Sequence, residues 1–168
     1  MESSLKENKT INLGLPKGDV LAMGVGNYLM GDEGIGVHIA QAMEKMELPD
    51  YLDVVDGGTG GFLLMNYFDE YPHIIFVDAT MDGKPSGTVT TTRPKFASDF
   101  PSALSVHDVG LKDMIESVYL LEVVPKMELI TISINEIRPM TMELSQAVES
   151  AIPVVIHEIE RIARSIER

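Results

Sequence analysis

Four acidic side chains stand where this chain turns out of apolar runs, and acids so placed can hold a cation or move a proton. Asp32 and Glu33 lie in GVGNYLMGDEG (24–34), directly after the apolar run DVLAM. Asp56 ends YLDVVD and precedes the glycine-rich GGTGG, and Asp78 closes HIIFVD. Each has an ordinary reading. Asp is a favoured helix N-cap, acids in a first turn suit the helix dipole, and an Asp after a strand is a common turn former. Capping accounts for Asp32, and turn formation for either strand-ending Asp alone. Glu33, Asp56 and Asp78 nevertheless fall on one rim if the strands before them are parallel. Three carboxylates there repel unless a cation or a shared proton holds them.

Imidazole is the usual further ligand for such a cation. His38 and His157 fall on the polar faces of helical patterns and read as surface residues, and His73 starts a strand at the end away from the acids. His107, in SVHDVGL just before a helical stretch, is the histidine placed to reach the rim. The Gly24-x-Gly26 turn also invites a nucleotide reading. A dinucleotide fingerprint, however, needs Gly at position 29, where Leu29 stands, and no Gly-Lys-Ser/Thr occurs. Two acids in the turn oppose a phosphate further.

The elements that must carry these residues follow from periodicity. Strands are predicted at Asp19–Val25, Leu52–Val55, His73–Val77, Gly87–Thr92 and Met127–Ile134. The first, third and fifth are nearly all apolar, as central strands covered on both faces require, and the Thr-rich fourth reads as an edge. Helical spacing follows Gly34 (Ile35, Ile39, Met43, Met46), recurs over Phe62–Phe68 and Val109–Leu121, and runs from Thr141 to Ile166. Alternating strands and helices predict a three-layer α/β/α sandwich around a mostly parallel, twisted five-stranded sheet, whose sites form at the carboxyl ends of strands. Residues 1–18 read as a loose polar arm, and residues 19–168 as a single domain of a size that supports a proper core.

Composition narrows the partners. With 26 acidic and 13 basic side chains the net charge is −13, so nucleic acid and anionic membrane are excluded as partners. There is no cysteine, which removes disulfides, thiolate metal sites and Cys nucleophiles. The polar N-terminus lacks a signal-peptide core and no apolar run approaches a membrane span, so a cytoplasmic protein is expected. Most of the 11 methionines, Met43, Met46 and Met127 among them, sit at apolar helix or strand positions and read as core. Met140 and Met142, near a loop, are candidates to face a partner.

GVGNYLMGDEGIGVHIAQAM, DGGTGG, IIFVDA and SVHDVGL, in this order and spacing, resemble the NiFe-hydrogenase maturation endopeptidases. The shared pattern is G-x-GN-x-x-x-x-DE-G-x-G, DGGT, an apolar strand ending in D-A, and H-x-x-GL, with a similar tail, from about Asp19 to Ile166. The resemblance implies an α/β/α peptidase of the aspartyl type. It removes the C-terminal peptide of a hydrogenase large-subunit precursor after nickel insertion. It further implies Glu33, Asp78 and His107 as metal ligands, with Asp56, Asp78 and Glu33 as the acids of the reaction. Gly57, Gly58, Thr59 and Asp108 are placed beside the substrate. Nickel(II) would arrive with the precursor, although two carboxylates and an imidazole accept several divalent metals. Asp108 stands where many members have Gln. A monomer that meets its client transiently is expected. The competing reading from the same residues is a nickel checkpoint or chaperone that binds the precursor without cutting it.

Overall fold

Alternation along the strands decides the architecture. In a computed structural model, which describes residues 18–95, 97–99, 115–121 and 124–168, five strands form one sheet. They are β1 (Val20–Val25), β2 (Leu52–Gly58), β3 (His73–Thr80), β4 (Val89–Thr92) and β5 (Lys126–Ser133). Their order is β2-β1-β3-β5-β4. β1 runs parallel to β2 and β3, and β3 parallel to β5; β4 alone pairs antiparallel, on the outer side of β5. The Thr-rich strand is thus the edge the sequence predicts, and the sheet is mostly parallel.

Successive side chains of a strand point to opposite faces. Val20 and Ala22 of β1, Ile75 and Val77 of β3, and Ile130 and Ile132 of β5 pack on one face. That face is covered by helix α1 (Ile35–Met43) and by the closing helix Ile152–Glu167, through Ile35, Ile39, Val155, Ile159 and Ile162. Leu21, Met23, Ile74, Phe76 and Leu129 point the other way, onto Leu64, Phe68, Ile115 and Val118. Burying a residue of this kind stabilises by about 1.5–3 kcal/mol, so the two cores together hold the three layers. Among the described residues no helix is long and apolar enough to cross a membrane.

Several boundaries differ from expectation. β2 continues to Gly58 and β3 to Thr80, so Asp56 and Asp78 lie inside strands rather than ending them. The stretch Thr141–Ile166 is not one helix. It is extended through Ser145, makes a single turn at Gln146–Glu149, and becomes continuous only from Ile152, where Pro153 sits in the first turn. Phe62–Phe68 resolves into a 3-10 turn at Gly61–Leu64 and a short helix at Asn66–Glu70. Met46, read as core, lies beyond the end of α1 and is exposed. Of Val109–Leu121, residues 115–118 are helical, and the first part lies outside the described residues.

Candidate active site at the carboxyl rim

The turn that follows β1 is built on close backbone contacts. Gly26, at φ 138°, donates its N–H to Gly58 O of β2 at 2.9 Å. A Cβ at Gly26 would stand 2.2 Å from Glu33 O, and one at Gly24 would stand 1.9 Å from Gly36 O. A Cβ at Gly36 would fall 2.3 Å from both Val25 O and Val77 O. Glycine at these positions therefore lets α1 start directly against the ends of β1 and β3. The intervening GDEG segment is a 3-10 turn, Gly31–Gly34, which touches β3.

Glu33 in that turn and Asp78 in β3 have no exposed surface at all. Burying a carboxylate is costly unless a proton, hydrogen bonds or a cation compensate it. Asp78 Oδ1 accepts the N–H of Ala79 at 2.8 Å. The register sets Val77 beside Gly24, and Gly24 beside Asp56, so the two aspartates stand at nearly the same height on the sheet. Their directions differ. Asp56 shares the α1 face with Leu52 and Val54, whereas Asp78 alternates with Ile74 and Phe76 onto the face that also receives Ile115 and Val118. The three acids thus share a rim, but the sheet plane separates the side chains of Asp56 and Asp78.

Asp56 is half-buried and held from two sides. Gln41 Nε2 of α1 donates to Oδ2 at 3.2 Å, and Gly58 N donates to Oδ1 at 3.0 Å. It opens on a cavity of about 370 Å³ that Asn27, Leu29, Gln41, Gly58 and Thr59 also line. Gly57 is instead buried, and a Cβ there would stand 3.2 Å from side-chain carbons of Met23, Val25 and Leu64. Gln41 was not singled out in the sequence, though it stands four residues after Val37, which lines the same cavity, and i, i+4 residues share a helix face.

Asp32 is not the N-cap its position predicts. Neither the 3-10 turn nor α1 has a side-chain cap bond. Asp32 is 2 % exposed, and its Oδ1 accepts the N–H of Ser145 at 2.6 Å. The Arg138 guanidinium stands 4.0 Å away and donates to Glu143 O at 2.9 Å. Gly31 N donates to Thr141 O at 2.9 Å, and Thr141 N to Leu29 O at 3.2 Å. Asp32 therefore ties the acidic turn to the segment after β5, and Glu33 is fixed in consequence.

The histidines divide. His157 is exposed, as expected, and His73 begins β3 at the far end of the sheet. His38 is not a free surface residue: its ring lies 4.7 Å from that of Tyr28, and its Nε2 is buried. Burial holds its pKa below the usual histidine range, against the opposing pull of the Met142 backbone, Glu149 and Asp32. His107 and Asp108 lie outside the described residues. Among the described residues no three His, Asp or Glu side chains form a metal cluster. Glu33 and Asp78 are hard oxygen donors carried by two elements in contact, and they fit a divalent cation as two members of a larger set.

A mostly parallel sheet between helices, with buried carboxylates on its carboxyl rim, defines a small α/β protein of the class that carries its sites at the strand ends. Comparison with known proteins gives the particular kind. Residues 37–162 match the hydrogenase maturation protease family model. The hydrogenase 2 maturation protease of Escherichia coli is 32 % identical over 143 residues, 83 % of this chain and 87 % of that protein. The hydrogenase expression/formation protein HupD of Rhodobacter capsulatus is 34 % identical over 150 residues, 87 % of this chain and 71 % of that protein. The solved structure of the E. coli hydrogenase maturating endopeptidase HybD superposes with a TM-score of 0.78 at 31 % identity, covering 87 % of this chain and 92 % of that one. The chain belongs to the hydrogenase maturation protease family, and it is a protease.

Proposed function

We propose that this protease removes the C-terminal extension of a NiFe-hydrogenase large-subunit precursor once nickel is in place, and that the precursor's own nickel is the handle it grips. The observation that carries this reading is the pair Glu33 and Asp78. Two carboxylates with no exposed surface, on a turn and a strand that touch, sit at the carboxyl rim of a chain that belongs to the hydrogenase maturation protease family. They are the protein's side of a divalent cation site, and His107 supplies the third donor. An empty precursor offers this acidic rim nothing to hold, so discrimination follows from the difference in binding free energy between loaded and empty substrate.

Hydrolysis needs water activated beside the scissile carbonyl and a proton delivered to the leaving amine. Asp56 suits that work. It faces an open cavity, Gln41 and Gly58 N fix its orientation, and its Oδ atoms remain able to accept from a water. Water oxygen attacks the carbonyl carbon while Asp56 takes its proton. The C–N bond then breaks as that proton passes to the departing amine. Thr59, exposed at the mouth of the cavity, lies where the peptide enters.

The experiment is intact-mass measurement of purified precursor, nickel-loaded or nickel-free, after incubation with this protein and with Glu33→Gln and Asp56→Asn. Loss of a C-terminal peptide from the loaded precursor alone, abolished by either substitution, is the expected result. A stable complex with unchanged mass would overturn the endopeptidase and leave a nickel checkpoint.

A further inference from the structure

Nine large apolar side chains stay exposed among the described residues, and their placement is uneven. Five of them follow the carboxyl ends of parallel strands. Leu29 comes after β1, Leu63 after β2, Met81 after β3, and Met140 and Met142 after β5. Leu29 is 51 % exposed and also lines the Asp56 cavity, and its carbonyl bonds Thr141, the residue between the two methionines. Leu29 and the methionines on either side of Thr141 thus continue outward from the candidate active site.

Met140 adds an independent observation. It is the non-glycine residue with a left-handed backbone, φ 63°, and it is 87 % exposed. A side chain in that region costs about 1–2 kcal/mol relative to glycine. Packing inside this chain does not repay that cost, since the side chain touches mostly solvent. A turn selected for folding alone takes Gly or Asn there.

We infer that Leu29, Met140 and Met142, with Leu63 and Met81 at the margin, form a docking face for the body of the large-subunit precursor, separate from the grip on its metal. This rests on the substrate reading above. Flexible, polarisable Met and Leu side chains suit a broad protein surface rather than a small ligand. The occupant is not a second copy of this chain. Glu136, paired with Arg138 at 3.7 Å, and the exposed Glu143 flank the methionines, and the net charge of −13 sets two copies against each other. The complementary face on the client is apolar with a basic margin.

The test titrates this protein with nickel-free precursor, so that the metal contributes nothing. The wild type binds it, and Met140→Ser/Met142→Ser weakens that binding about ten-fold or more. Met46→Ser, an exposed methionine at the other end of the sheet, leaves it unchanged. Met140→Gly relieves the backbone, so it melts no lower than wild type and still binds more weakly, which a purely structural role does not produce. No binding of nickel-free precursor by the wild type, or equal binding by the double variant, overturns the docking face. Nickel-loaded precursor that binds through these methionines but keeps its mass overturns the endopeptidase alone.

Discussion

At the amino end of the sheet the protein has space, and at the carboxyl end it has buried charge. A cavity of about 890 Å³ opens between the starts of β3 and β5, lined by His73, Arg93, Lys95 and Lys126. Another of about 420 Å³ lies beside Leu48, Asp53 and Tyr71. Several polar groups there have partners: Tyr71 donates to Asp53 Oδ2 at 2.8 Å, Gly18 N donates to the same oxygen at 3.1 Å, and Arg93 pairs with Glu128 Oε1 at 3.2 Å, while Glu128 Oε2 is buried without a hydrogen bond. Among the described residues the carboxyl end has a cavity of about 370 Å³ at Asp56, and it holds Glu33, Asp32 and Asp78 almost wholly out of solvent. Among the described residues, then, the two ends differ in kind. The costly feature of the carboxyl end is the buried carboxylate, and it is the feature on which the proposed site rests.

The contrast breaks most sharply on activity. Asp78→Asn withdraws one of the two proposed metal donors and is expected to lower processing of nickel-loaded precursor by about 10–100-fold or more. The mass assay reads it, and near-normal processing would return Asp78 to the core. Asp32→Ala tests the scaffold behind the site. It strands the Ser145 N–H, so urea unfolding should show a loss of about 1.5–3 kcal/mol, as for hydrogen bonds to a charged group. Tyr71→Phe probes the amino end, where removing one hydrogen bond should cost about 1 kcal/mol and leave processing untouched. A fall in processing there would erase the distinction between the two ends.

The smallest expected effect is a pH dependence. Because burial depresses His38 below its ordinary 6.5, the unfolded chain takes that proton first as pH falls. Its contribution is therefore fully present above the ordinary value and is lost as pH falls through the folded one. Melting curves of wild type and His38→Gln at about pH 7.5 and about pH 5.5 should show a smaller acid loss in the variant.

The sequence announces the central strands because burial on both faces leaves no polar position in them. It announces Asp78 because a carboxylate inside such a run is conspicuous. It overstates the convergence of the acids: period-2 alternation separates Asp56 from Asp78, and that is visible only once both strands are known to continue through them. The role of Asp32 is illegible locally, because its partner Ser145 is 113 residues away. Helix rules looked for that partner in the next turn. His38 is misread and Gln41 passed over for a related reason, since a polar residue on a helix face reads as solvated until another segment covers it.

That tie between Asp32 and Ser145 has a temporal consequence. The bridge from Met30 to Thr141 and the bond from Ser145 join the acidic turn to a segment that follows it by 113 residues along the chain. Contacts of such sequence separation form late, because closing the loop between them must be paid in chain entropy first. A nascent or truncated chain can carry the whole GDEG turn and still lack the strap that sets it. The acidic turn therefore takes its final shape only after the strands between Asp32 and Ser145 are in place, so the rim is assembled last from two distant parts of the chain.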